Sequence, residues 1–115
     1  MTEHEIQNDI RVALSKYGIV FRMNAGDFWQ GKLCWSHEFS SRVLTDPTRV
    51  EGLPAGFSDL LFVGNGMIAF IEVKTPKGRV SSKQEAFLKR MREMGHRAGV
   101  ARSVEDAKEI IKNGI

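Results

Sequence analysis

At 115 residues the chain has room for one domain with one core and not for two. With 42% hydrophobic and 27% charged side chains it is not a disordered chain, and its single cysteine, Cys34, rules out an internal disulfide. No apolar run approaches the roughly 18–20 residues of a membrane span, and the N-terminus carries no secretion-signal pattern, so a reducing, cytoplasmic setting is expected. The net charge of +3 is unevenly spread. Residues 1–75 hold 7 basic and 9 acidic side chains, whereas 76–115 hold 10 and 5, which suits a polyanionic partner on the second half.

In chain order, the first predicted element is a helix from Glu3 to Tyr17, opened by a Thr2/Glu5 capping box and closed by Gly18. Ile6, Ile10, Ala13, Leu14 and Tyr17 make its apolar stripe. Glu3 lies one step before Ile6 on that stripe and has two readings: a first-turn acid favoured by the helix dipole, or a carboxylate turned towards the sheet. A strand follows from Ile19 to Met23, ending at Asn24-Ala25-Gly26. Residues 27–57 hold Phe28, Trp29, Leu33, Cys34, Trp35 and Phe39 without a sustained period. A small hairpin about Gly31-Lys32 and a turn at Asp46-Pro47 are the only local signals there. Its aromatics suit packing or dimerisation, with base stacking as the competing use.

Two apolar runs then flank Asn65-Gly66, a strong hairpin signal. With those two residues as the turn, Gly64 faces Met67 and Asp59 falls opposite Glu72. Carboxylates in such a cross-strand pair repel unless a cation sits between them. Lys74, two residues beyond Glu72, projects from the same face. Oxygen ligands without Cys or His suit a hard ion, Mg²⁺ or Mn²⁺, and an ion with a neighbouring lysine suits phosphodiester hydrolysis. Against this stands a plain solvated charge pair on a surface hairpin. The second run is apolar on both parities, with Ile68 and Phe70 on one face and Ala69, Ile71 and Val73 on the other. Such a strand is covered on both sides.

Thr75-Pro76-Lys77-Gly78-Arg79 is a turn with two cations just past the acids, and Lys77 and Arg79 are candidate phosphate contacts beside a solvated-loop reading. A helix from Ser82 to Met94 carries an inner stripe of Gln84, Phe87, Leu88 and Met91, with Lys83 outside it. Gln84 reads either as a capping-box residue with Ser81 or as a polar neighbour of the acids. A strand from Ala98 to Arg102 and a last helix capped by Ser103 complete the chain.

Asp59 followed by Glu72-Val73-Lys74 across a hairpin resembles the Asp…Glu-x-Lys signature of the PD-(D/E)XK nuclease superfamily. Glu3-x-x-Ile6-Gln7, Gly56-x-Ser58-Asp59-Leu60, Ile71-Glu72-Val73-Lys74, Gly78 and Ser81-x-x-Gln84 are similar in order and spacing to the VRR-NUC domain, the virus-type replication-repair nuclease. One departure is Ser58, where the family usually has proline, and that position bears on backbone shape only. The resemblance covers nearly the whole chain, as in the forms that occur alone in phages and bacteria. It implies metal binding by Asp59 and Glu72 with the Val73 carbonyl and Glu3 adding to the set. Lys74 would assist the attacking water, and Gln84 and Gln7 would support the site. On position alone, Lys77 and Arg79, with Lys83 in the following helix, are the candidate nucleic-acid contacts.

The expected fold is α/β, a restriction-endonuclease-like mixed sheet in the order α-β-β-β-α-β-α, with a central antiparallel hairpin and helices on both faces. The expected activity is metal-dependent cleavage of DNA by a homodimer resembling Holliday-junction resolvases, with 5′-phosphate and 3′-hydroxyl products. The rivals are a flap or duplex nuclease with the same residues, a DNA-binding module that does not cut, and a structural or partner-binding protein without metal affinity.

Overall fold

The Thr2/Glu5 box opens helix α1 (Glu3–Leu14) as expected. The Glu5 N–H donates to the Thr2 hydroxyl at 3.2 Å and the Thr2 N–H to the Glu5 carboxylate at 3.0 Å. The helix stops a turn before Gly18, because both the hydroxyl and the N–H of Ser15 donate to the Val12 carbonyl. Tyr17 therefore leaves the apolar stripe and is exposed. The structure, a computed structural model, describes residues 1–25, 27–64 and 66–113.

After α1 come β1 (Ile19–Arg22), β2 (Asp27–Ser36), β3 (Ser41–Glu51), β4 (Leu60–Gly64), β5 (Met67–Val73), α2 (Ser82–Glu93), β6 (Arg97–Ala101) and α3 (Val104–Asn113). The main sheet has the order β1-β4-β5-β6, antiparallel except for the parallel β5–β6 pair that α2 connects. Gly64 faces Met67 and Leu60 faces Ile71, the register that the Asn-Gly reading requires. Gly66 takes a positive φ of 67°, which suits such a turn. Asn65 lies outside the described residues, as does Gly26 at the expected end of the first strand.

The two-sided greasiness of β5 is used as expected. Leu60, Phe62, Ala69, Ile71 and Val73 meet Ile6, Ile10 and Leu14 of α1 and Ala107, Ile110 and Ile111 of α3 in one buried cluster. The opposite parity carries Phe70, whose ring meets Phe87 of α2 edge-on at 5.5 Å. Helices thus cover both faces of the central strands, and the fold is the mixed α/β arrangement that the sequence predicts.

Residues 27–51 differ from expectation. They form a long two-stranded ribbon, β2 against β3, whose reversal lies at 37–40 and not at Gly31-Lys32. Gly31 and Lys32 sit inside β2 beside a register shift, and Asp46-Pro47 lies in β3 opposite it, with Asp46 at φ 49°. A bulge absorbs the turn-like pair without reversing the chain, because an extra residue in one strand tolerates a left-handed conformation and a missing N–H. The ribbon adds two strands to the expected order.

Candidate active site

The acids meet where β4 and β5 reach the edge of the α2 face. Asp59 directly precedes β4, and its carboxylate oxygen Oδ2 accepts a hydrogen bond from the Val73 N–H at 2.9 Å. Its carbonyl accepts from the Met23 N–H at 2.8 Å, so the residue is held from both neighbouring strands. Ser58 is buried and donates its hydroxyl to the Leu60 carbonyl at 3.1 Å. That bond spans the bend at Asp59 and ties together the backbone on either side of it.

Glu72 is 1% exposed, an unusual place for a carboxylate. Gln84 donates its amide Nε2 to Glu72 Oε1 at 2.9 Å, and Lys74 Nζ lies 3.9 Å from the same oxygen. The other oxygen, Oε2, is buried and has no hydrogen-bond partner. Burial pushes the Glu72 carboxyl from an ordinary 4.5 up to about 8, and the charge of nearby Asp59 and a hydrogen bond with it add to the rise. Lys74 opposes the shift, and Glu3 contributes a last, small increase. Two ionised carboxylates can only accept, so Asp59 and Glu72 bond to one another only when one of them holds a proton.

Gln84 fills both of its readings at once. Its Oε1 accepts from the Ser81 N–H at 2.9 Å, completing the α2 capping box, while its Nε2 reaches Glu72. A third support is aromatic. Phe57, two residues before Asp59, packs on Phe87 of α2 with centroids 4.6 Å apart and edge-on against Phe70 of β5 at 5.9 Å. Those three rings tie the Asp59 approach, the Glu72 strand and the Gln84 helix into one unit. Gly56 allows it, since a Cβ there would come within 2.7 Å of the Lys83 carbonyl and its φ is +93°.

Glu3 stays exposed in the first turn of α1, and among the described residues no group of three or more His, Cys, Asp or Glu side chains gathers. The acids brought together are Asp59 and Glu72. Gln7 is buried in α1, with its Oε1 lacking a partner. Lys77, Arg79 and Lys83 are exposed, the first two in the turn after Lys74 and the third in the first turn of α2. One contributor escapes sequence reasoning altogether. Arg102 sends Nη1 to the carbonyls of Thr75 (2.6 Å) and Gly78 (2.7 Å), clamping the turn that carries Lys77. An arginine at a strand end has no pattern that announces such a contact.

The donor set fits a hard divalent cation. It offers carboxylate oxygens, one of them buried and unsatisfied, in a place where Lys74 at 3.9 Å does not offset the effect of burial and the neighbouring acid. No curated protein matches the sequence. A family model does: the VRR-NUC domain matches residues 1–105, spanning α1, both acids, Lys74, Gln84 and β6. On that match the chain belongs to the VRR-NUC domain family, nucleases of the PD-(D/E)XK type that generally use divalent metal ions.

Proposed function

We propose that this nuclease is a divalent-metal-dependent, structure-selective DNA endonuclease that acts on branched DNA as a homodimer, with the four-way junction as its preferred substrate. The observation that carries the catalytic part is buried Glu72 beside half-buried Asp59, with Lys74 and Gln84 on one Glu72 carboxylate oxygen. Asp59, Glu72 and the Val73 carbonyl would hold Mg²⁺ or Mn²⁺, and Glu3, exposed in the first turn of α1, would add a contact through water. When bound, the ion lowers the pKa of a coordinated water and offsets charge on the scissile phosphate.

The chain's own residues do the rest. Gln84 fixes the Glu72 carboxylate by its Nε2–H, leaving Oε2 free for a ligand. Val73 N–H does the same for Oδ2 of Asp59. The Lys74 ammonium, 14% exposed, hydrogen-bonds the attacking water and stabilises the developing phosphorane charge. Lys77, Arg79 and Lys83 contact backbone phosphates and place the strand for in-line attack, leaving 5′-phosphate and 3′-hydroxyl ends. The resemblance to stand-alone VRR-NUC nucleases supports the junction substrate, since a two-fold dimer offers one site to each of two strands.

The test is cleavage of labelled four-way junction, flap, single strand and linear duplex in Mg²⁺ or Mn²⁺, beside Asp59→Ala and Lys74→Ala. Each variant is expected to lose about a hundredfold or more in rate. Undiminished cutting by both purified variants removes the assignment. A preference for flap or duplex keeps the chemistry and replaces the substrate, and binding without cutting by the wild type leaves a DNA-binding module.

A further inference from the structure

The β2–β3 ribbon is the part of the molecule the active site does not explain. A two-stranded ribbon is marginal by itself in water, and one with strands of 10 and 11 residues needs a second layer on at least one face. Within the chain β2 and β3 pack chiefly on each other. The pairing register places Trp29 beside Arg49, Leu33 beside Leu44 and Trp35 beside Arg42 on one face. Trp29 is 63% exposed, Leu33 63% and Trp35 58%. An apolar stripe on the order of 20 Å long, at about 3.3 Å per residue, therefore lies open.

Charge decides what covers it. Residues 27–51 carry Lys32, Arg42 and Arg49 against Asp27, Glu38, Asp46 and Glu51, a balance of −1, while the rest of the chain holds 14 basic and 10 acidic residues, a balance of +4. A polyanion is drawn to the body and not to the ribbon. The face carries Arg42 beside Trp35, Arg49 beside Trp29 and Glu51 at the root. Two copies packed face to face with their ribbons antiparallel therefore set Arg42 of each against Glu51 of the other when slid two residues from the Trp35-over-Trp29 alignment, which would oppose Arg42 and Arg49 instead. Two tryptophans and a leucine at this exposure leave on the order of 400 Å² per copy to cover, and with Leu44 and the arginine stems a two-fold pairing reaches the roughly 1,000 Å² at which specific interfaces begin.

We propose that the Trp29–Leu33–Trp35 face of the ribbon is the interface on which a second copy of this chain docks. The ribbon springs from the strand ends beside Asp59, where the Met23 N–H meets the Asp59 carbonyl, so the interface also sets the separation of the two acid pairs. That consequence rests on the nuclease reading, whereas the interface itself does not.

Trp29 and Trp35 are the chain's two tryptophans, so their fluorescence reports this face and nothing else. Sedimentation of the full chain is expected to give twice the 12.9 kDa chain mass, with emission that moves to the red on dilution. Leu33→Glu is expected to give a single-chain mass and red emission at every concentration, while Lys32→Glu on the opposite face stays dimeric. The dilution series on the wild type decides the matter if Leu33→Glu does not fold. A single-chain mass at about 100 μM, a dimer whose emission ignores dilution, or a monomer whose emission shifts only on adding DNA would each overturn the proposal, the last by making the face a nucleic-acid surface. None of these readings depends on cleavage, so loss of the interface and loss of the nuclease reading are told apart.

Discussion

Glu72 sets the pH behaviour of the protein without metal. Its carboxyl titrates at about 8 when folded and near 4.5 in an unfolded chain. Below that window both states hold the proton. Inside it the folded protein retains a proton the unfolded chain has released, so stability falls as pH rises, and it levels off above about 8. Thermal melts in chelator are expected to show this decline between pH 5 and 8 (roughly the span of the shift), and Glu72→Gln, which cannot ionise, is expected to flatten it. A divalent ion competes with that proton, so Mn²⁺ should raise the melting temperature more at about pH 8 than at about pH 6. Equal shifts at both would mean the ion binds elsewhere. The meeting of Asp59 and Glu72 was legible because a two-residue period and a tight turn fix partners by arithmetic. The buried hydroxyl of Ser58 was not, since its bond to Leu60 depends on a bend that no spacing encodes.

At the scale of elements, α2 both covers the sheet and holds the site. Gln84→Glu separates those duties: the capping box accepts glutamate, but a carboxylate then faces Glu72 Oε1 where an amide donor stood. Helix content by circular dichroism is expected to survive while cleavage falls about tenfold or more, the order typical of a lost supporting contact to a metal ligand. Gly56→Ala meets both a positive φ and the Lys83 carbonyl, so a loss of at least about 1 kcal/mol is expected in denaturant melts, beyond the ordinary cost of a left-handed alanine. Arg102→Ala releases the 75–78 turn and is expected to raise KM for DNA several-fold with a smaller change in kcat, since Lys77 loses its footing while the acids keep theirs. Helix starts were readable from their caps. The end of α1 was not, because Ser15 competes for the Val12 carbonyl through its own hydroxyl.

Taken whole, the molecule measures 55 × 29 × 28 Å with a radius of gyration of 17.0 Å, against about 13–14 Å for a closely packed chain of this length. The excess is expected of a chain with the ribbon standing off its body. The body was legible because its strands and helices bury one parity or one stripe each. The ribbon was opaque because neither face is buried within the chain and the alternation of Trp29, Leu33 and Trp35 is interrupted at Gly31, where the register shifts. Its attachment is slight: Leu53 N–H donates to the Asn24 carbonyl at 3.1 Å, and Ala25 bridges to Leu53. Departure and return points that nearly touch make this appendage a cassette. Joining residue 24 to residue 54 through two glycines should leave the melting of the remainder within a few degrees of the parent, and lineages could lengthen, trim or exchange the insert without renegotiating the hydrophobic interior.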